Sequence, residues 1–199
     1  MTKSLSDTIL VPQSGRRNFL GTTSRATLSG AAILMLSGRE ALAQGTASNA
    51  ASDAAILNVA LGLELQAIAA YTIGAHSGLL PKPALDLALY NQGHHKAHRD
   101  LLAATVTKLG GTPVAEKPIA EYATALNASS IKTAGDIIDL ALTLELGATN
   151  AYLGVIPSFK DAQLAKVSGR IAAEECSHYI ALLGASGKPL PVGPLFFGA

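Results

Sequence analysis

Beyond residue 52 the apolar positions recur at three- and four-residue steps, the spacing of one face of an α-helix. Leu57, Ala60, Leu61, Ala67, Ile68 and Tyr71 form the first such stripe. They predict a helix running to about Ser77, with Asp53 placed as its N-cap. Pro81 and Pro83 favour a second helix start, and Gly110-Gly111 followed by Pro113 ends it. Leu102, Val106 and Leu109 continue that helix's apolar face. A third stripe, Ile138, Ala141, Leu142, Ala148 and Tyr152, predicts a helix over about 134–154. A fourth, Leu164, Val167, Ile171 and Leu182, predicts one over about 158–186.

The segments between and around these stripes are different in kind. Thr112 to Lys132, with Pro113, Pro118, Asn127, Ser129 and Ser130, is long for a connection inside a compact domain. It reads as a crossover between two helical hairpins, with a helical turn around Ile119–Leu126. Residues 187–199, with Pro189, Pro191, Pro194 and Phe196-Phe197, form a non-helical tail lying along the bundle. No alternation of strand length appears, there is no Trp, and Ala and Leu, both good helix formers, dominate. The expected fold is all-α: a four-helix bundle over 53–186, built from two hairpins joined by a long crossover.

The start of the chain reads as an address. Arg16-Arg17-Asn18-Phe19-Leu20 is a twin-arginine pattern, an apolar run follows around Ala26 to Leu36, and Ala41-Leu42-Ala43 is a small-residue cleavage site. The apolar run is too short to span a bilayer, which takes roughly 20 residues. Residues 1–43 are therefore expected to be a cleaved export signal, read by the twin-arginine export machinery. The rest would be periplasmic or otherwise exported, with 44–52 a flexible leader. Gly15 and Gly21 stand where such signals often carry Ser and Lys, which leaves the general secretory route open.

Cleavage changes the charge. Removing Lys3, Arg16, Arg17, Arg25 and Arg39 from 15 basic residues, and Asp7 and Glu40 from 14 acidic ones, leaves 10 against 12, a net of −2. No basic stripe remains, so a nucleic-acid partner is excluded. Low charge favours self-association as a homo-oligomer. Cys176 is the only cysteine, so no intrachain disulfide can form.

The candidate chemistry lies in a repeat. Leu61 to Tyr71 and Leu142 to Tyr152 agree at seven of eleven positions, and each places a Glu, Glu64 or Glu145, seven residues before a Tyr. Glu64 precedes His98 by 34 residues and Glu145 precedes His178 by 33. The second helix offers His95 and His98, the fourth Glu175 and His178. Residues three apart share a helix face, so each pair can reach one ion. His94 and Glu174, at i,i+4 to the same histidines, are the competing ligands. The i,i+3 pairs are preferred because both halves then agree. Tyr71 and Tyr152 read as core aromatics hydrogen-bonded to a carboxylate, His76 as a solvated helix-end residue, and Cys176 as packing.

These residues resemble the ferritin-like superfamily, and with the signal an exported bacterial ferritin-like domain protein. In that family two helices each give a Glu and two each give Glu-x-x-His, holding two iron or manganese ions. The resemblance implies Glu64, His95, His98, Glu145, Glu175 and His178 as metal ligands. It covers most of 53–186. His95 departs from the pattern, standing where the family has a bridging Glu, so one ion and two ions both stay open. The implied function is redox handling of iron, dioxygen or peroxide by a non-haem iron or manganese centre. Metal storage without turnover, and a metal-free structural or stress-related interaction bundle, are the alternatives.

Overall fold

The structure, a computed structural model, describes residues 49–198. The expected export signal lies outside those residues, as does the leader up to residue 48. Helix α1 spans Asn49–His76, α2 Lys82–Lys108, α3 Ile119–Ala125, α4 Ala134–Val155 and α5 Ala162–Ser186. Short 3-10 turns at Ala128–Ser130 and Ile156–Ser158 complete the order. Among the described residues there is no strand. Helices α1 and α2 pair as one hairpin and α4 and α5 as the other, while α1 also packs on α4 and on the small α3. This is the four-helix bundle that the stripes predict, with α3 inside the crossover.

Local chemistry explains most of the boundaries. Pro81 opens α2 with extended backbone, and Gly110, at φ 82°, closes it while Gly111 N–H donates to Val106 O at 2.9 Å. Thr133 and Asp136 form a reciprocal capping box at the start of α4. The Asp136 carboxylate also accepts from Lys132 N–H, and these bonds hold its pKa below the usual value. Gly187, at φ 67°, ends α5, and Lys188 N–H returns to Leu183 O at 3.0 Å.

Two expected boundaries move. Helix α1 begins at Asn49, so 49–52 of the expected leader are helical, though largely exposed, and Asp53 is not the N-cap. Asp53 instead turns inward, 2% exposed, and its carboxylate accepts from the N–H groups of Lys160 and Asp161 at 2.9 and 3.0 Å. It satisfies donors at the mouth of a different helix. The last helix starts at Ala162, not near Ser158. Pro157 sits in a 3-10 turn, Phe159 is extended, and Asp161 caps the helix by accepting from Gln163 N–H at 2.7 Å.

Helix α1 is apolar on every side. Every residue from Glu64 to Tyr71 is buried, which marks it as the central helix. It is long and apolar enough to cross a membrane, but most of its apolar stretch is covered by the bundle. Gly74 lets α4 approach, since a Cβ there would lie 2.8 Å from Ile137 Cγ2. One apolar cluster gathers Leu57, Leu61, Leu102, Val106, Tyr122 and Ile171, and another gathers Tyr71, Ala88, Ala141, Leu142 and Leu182. In chain order the expected ligands on α2, α4 and α5 fall between these clusters, while Glu64 on α1 lies within the stretch of the first. The tail folds back on α4 and α5: Phe196 and Phe197 pack on Tyr179, and Gly198 N–H donates to Asn150 Oδ1 at 2.7 Å.

Candidate metal centre

The six expected residues meet at mid-bundle. Glu64, His95, Glu145 and Glu175 are each at most 2% exposed, and His98 and His178 at most 5%. Carboxylates and imidazoles have no reason to leave water singly, since an unpaired buried charge costs several kcal/mol. Here they leave it together. His95 Nδ1 lies 2.7 Å from Glu64 Oε2, and its Nε2 lies 3.2 Å from Glu145 Oε1 and 3.7 Å from Glu175 Oε2. His98 Nδ1 is 3.0 Å from Glu175 Oε1 and 3.6 Å from Glu64 Oε1. His178 Nδ1 is 3.3 Å from Glu145 Oε2 and 3.2 Å from Glu175 Oε2.

Two overlapping donor sets result. Glu64, His95, His98 and Glu175 offer atoms within 4.8 Å of one another, and so do His95, Glu145, Glu175 and His178. His95 and Glu175 belong to both. Three carboxylates and three imidazoles make a mixed oxygen and nitrogen set of the kind that first-row transition metals take.

The competing residues His94 and Glu174 stand outside this ring. Glu174 Oε2 lies 2.7 Å from His98 Nε2, and His94 Nδ1 lies 3.0 Å from His178 Nε2. Each outer residue of one helix thus holds the histidine of the other. The consequence is a tautomer. A carboxylate at His98 Nε2 keeps the proton there and leaves Nδ1 its lone pair facing inward. If His178 Nε2 donates to His94, its Nδ1 faces the centre in the same state. Partners of this kind fix ring orientation at metal sites.

Tyr71 and Tyr152 complete the shell. Tyr71 donates to Glu145 and Tyr152 to Glu64, and Asn91 Nδ2 donates to the Tyr71 oxygen at 3.1 Å. Burial beside these carboxylates pushes both phenols well above their usual pKa. Asn91 is fully buried, and sequence reasoning passed over it. Its place four residues before His95, on the same helix face, was the available signal. His76 is exposed at the end of α1, and Cys176, half-buried, does not join the cluster.

Without metal the histidines take up protons. Burial opposes the charge on His98, but Glu175 and Glu64 overcome it and lift the pKa to about 10. Burial is likewise outweighed by Glu145 and Glu175 at His178, which rises to about 9. His95, between Glu145 and Glu64, rises well above its usual value in spite of its burial. Glu64 and Glu145 fall in spite of burial, held down by the imidazoles. For Glu175 burial wins and its pKa rises.

The proton network leaves a defect. His98 Nδ1 and Glu175 Oε1 are buried and form an ion-pair contact at 3.0 Å, yet neither makes a well-formed hydrogen bond. Orphaned buried polar atoms are costly and uncommon. A metal ion that displaces the His98 Nδ1 proton and takes a lone pair from each atom removes the defect, so the residues present fit a metal ion.

A family model for the ferritin-like domain matches residues 52–188. No match is found among curated proteins or among solved structures. The matched span takes in α1 from residue 52 onward, the other three long helices and all six clustered residues, and the chain belongs to the ferritin-like domain family.

Proposed function

We propose that this is an exported ferritin-like metalloprotein whose centre binds iron or manganese and handles dioxygen, peroxide or ferrous iron. The observation that carries the metal reading is the pair His98 Nδ1 and Glu175 Oε1, two buried atoms of ligand chemistry that face each other at 3.0 Å without a well-formed hydrogen bond. The redox reading rests on the donor set, which suits iron and manganese, and on a centre removed from water. Export rests on the twin-arginine pattern at Arg16-Arg17 and the site at Ala41-Leu42-Ala43.

The bound metal would supply the electron transfer. The chain's residues do the rest. Glu64, Glu145 and Glu175 provide negative charge, and Tyr152 and Tyr71 hold the first two carboxylates in orientation. His98 and His178 present Nδ1 inward because Glu174 and His94 engage their outer nitrogens. Those outer residues are half-exposed, so they also link the ligand imidazoles to solvent, where displaced protons can go.

The test is turnover by purified, metal-loaded protein: peroxide consumption and ferrous-iron oxidation, with Glu145→Ala as the inactive control. Activity lost in Glu145→Ala supports the redox reading. Firm metal binding without turnover in the native protein would instead mark a storage protein, and a folded protein that takes no metal a structural bundle.

A further inference from the structure

His95 stands where the family resemblance leads one to expect a bridging glutamate, and the structure gives it an uncommon position. Its two ring nitrogens face opposite halves of the centre. Nδ1 looks to Glu64 at 2.7 Å, and Nε2 looks to Glu145 at 3.2 Å. Glu175 spans the same two halves. Its Oε1 lies 3.0 Å from His98 Nδ1 and its Oε2 lies 3.2 Å from His178 Nδ1. The centre therefore divides into two equivalent pockets. One has Glu64, His98, His95 Nδ1 and Glu175 Oε1; the other has Glu145, His178, His95 Nε2 and Glu175 Oε2. Each offers two nitrogens and two oxygens.

We infer that His95 bridges two divalent metal ions through its two ring nitrogens, as an imidazolate. The inference rests on the metal reading proposed above and goes beyond it, since it fixes the number of ions and the bridging group. The charge count agrees with that geometry. Two divalent ions bring four positive charges, and Glu64, Glu145 and Glu175 neutralise three. A neutral imidazole has one lone pair and cannot bind both ions. Each ring nitrogen gives up its proton to solvent as its ion binds, which leaves two lone pairs and the fourth negative charge. The buried centre is then neutral, which a dry interior strongly favours. The same residue that removes a carboxylate from the ring restores its charge on metal binding.

A bridge through a ring also sets the ions far apart. Metal–nitrogen bonds of about 2.1 Å on either side of an imidazole put them roughly 6 Å from each other. Ordinary two-metal sites hold them roughly 3.5–4 Å apart. The probe is the full chain loaded with zinc, crystallised, and its metal positions located by anomalous scattering. Two ions roughly 6 Å apart, one on each His95 nitrogen, are expected. His95→Gln keeps a polar amide but offers no second ring nitrogen, and its zinc content should fall from two ions to one. A separation of roughly 3.5–4 Å, a single ion in the native protein, or two ions retained in His95→Gln would overturn the bridge and leave the metal centre standing. A native protein that takes no zinc, iron or manganese would overturn both. Should His95→Gln fail to fold, the native metal separation decides alone.

Discussion

The Tyr152 hydroxyl, on α4, donates to Glu64 Oε1 on α1. The reverse also holds: Tyr71 on α1 donates to Glu145 on α4. Each tyrosine of the repeat thus serves the glutamate of the other copy, 88 and 74 residues away. The repeat is conspicuous in sequence because it is used twice in space, as an exchange across the contact between the two hairpins.

That exchange is testable. Tyr152→Phe removes one hydroxyl and leaves Glu64 Oε1 without its donor in a dry site. Loss of about 1–3 kcal/mol of unfolding free energy is expected in the metal-free protein. Metal affinity should fall about 10- to 100-fold. Denaturant titration and chelator competition measure the two effects. A variant as stable and as tight-binding as the native chain would mean that the hydroxyl bond does not orient the carboxylate.

The outer residues give a second prediction. Glu174→Gln still reaches His98 Nε2 but no longer carries the charge that holds the proton on that nitrogen. Metal affinity should drop about 10-fold or more while the far-ultraviolet circular dichroism stays unchanged, because the Glu174 side chain is half-exposed. An equal loss of helix signal would assign Glu174 to the fold and not to the ligand.

How far the site could be read from sequence depends on what each residue's pattern encodes. Helical stripes and the i,i+3 pairs are local, so spacing narrows the inward faces to Glu64, Glu145 and either the i,i+3 pairs His95–His98 and Glu175–His178 or their i,i+4 rivals at His94 and Glu174. Partnership across helices is not local. Nothing in the repeat says that Tyr71 serves Glu145 and not Glu64, which lies seven residues before it on the same helix. Asp53 shows the same limit: its residue type announces a cap, but the donors it satisfies belong to Lys160 and Asp161. Asn58 is another case, tying the crossover to α1 through Thr112 O and Val114 N–H. Pattern locates the face of a helix, and only packing locates its partner.

Protonation sets a pH dependence. In the metal-free protein His98 and His178 are raised from 6.5 to about 10 and about 9. The folded state therefore binds more protons than the unfolded chain across that interval. The stabilisation is full below about pH 6.5, the unfolded value. It falls as pH rises and is gone once both folded pKa values are passed. Thermal unfolding of chelator-treated protein should show a midpoint declining from pH 6.5 upward. With metal bound the trend reverses over the lower part of the range, because protons and metal compete for the same nitrogens. A metal-free midpoint that rises through this interval would contradict the assigned pairing of His98 with Glu64 and Glu175.

Export makes its own prediction. Changing Arg16 and Arg17 together to Lys should leave precursor in the cytoplasm, detected by fractionation and by the uncleaved mass, because the receptor reads that pair. Normal export of the double variant would point to the general secretory route.

Metal content tests the central claim most directly. Protein folded in its native host, purified without chelator and submitted to elemental analysis should carry transition metal, while a Glu64→Ala, Glu145→Ala double variant prepared in parallel should carry none. The account predicts two ions per chain in the native protein. A native chain that is fully folded, free of metal, and still free of it after incubation with iron, manganese and zinc would contradict it.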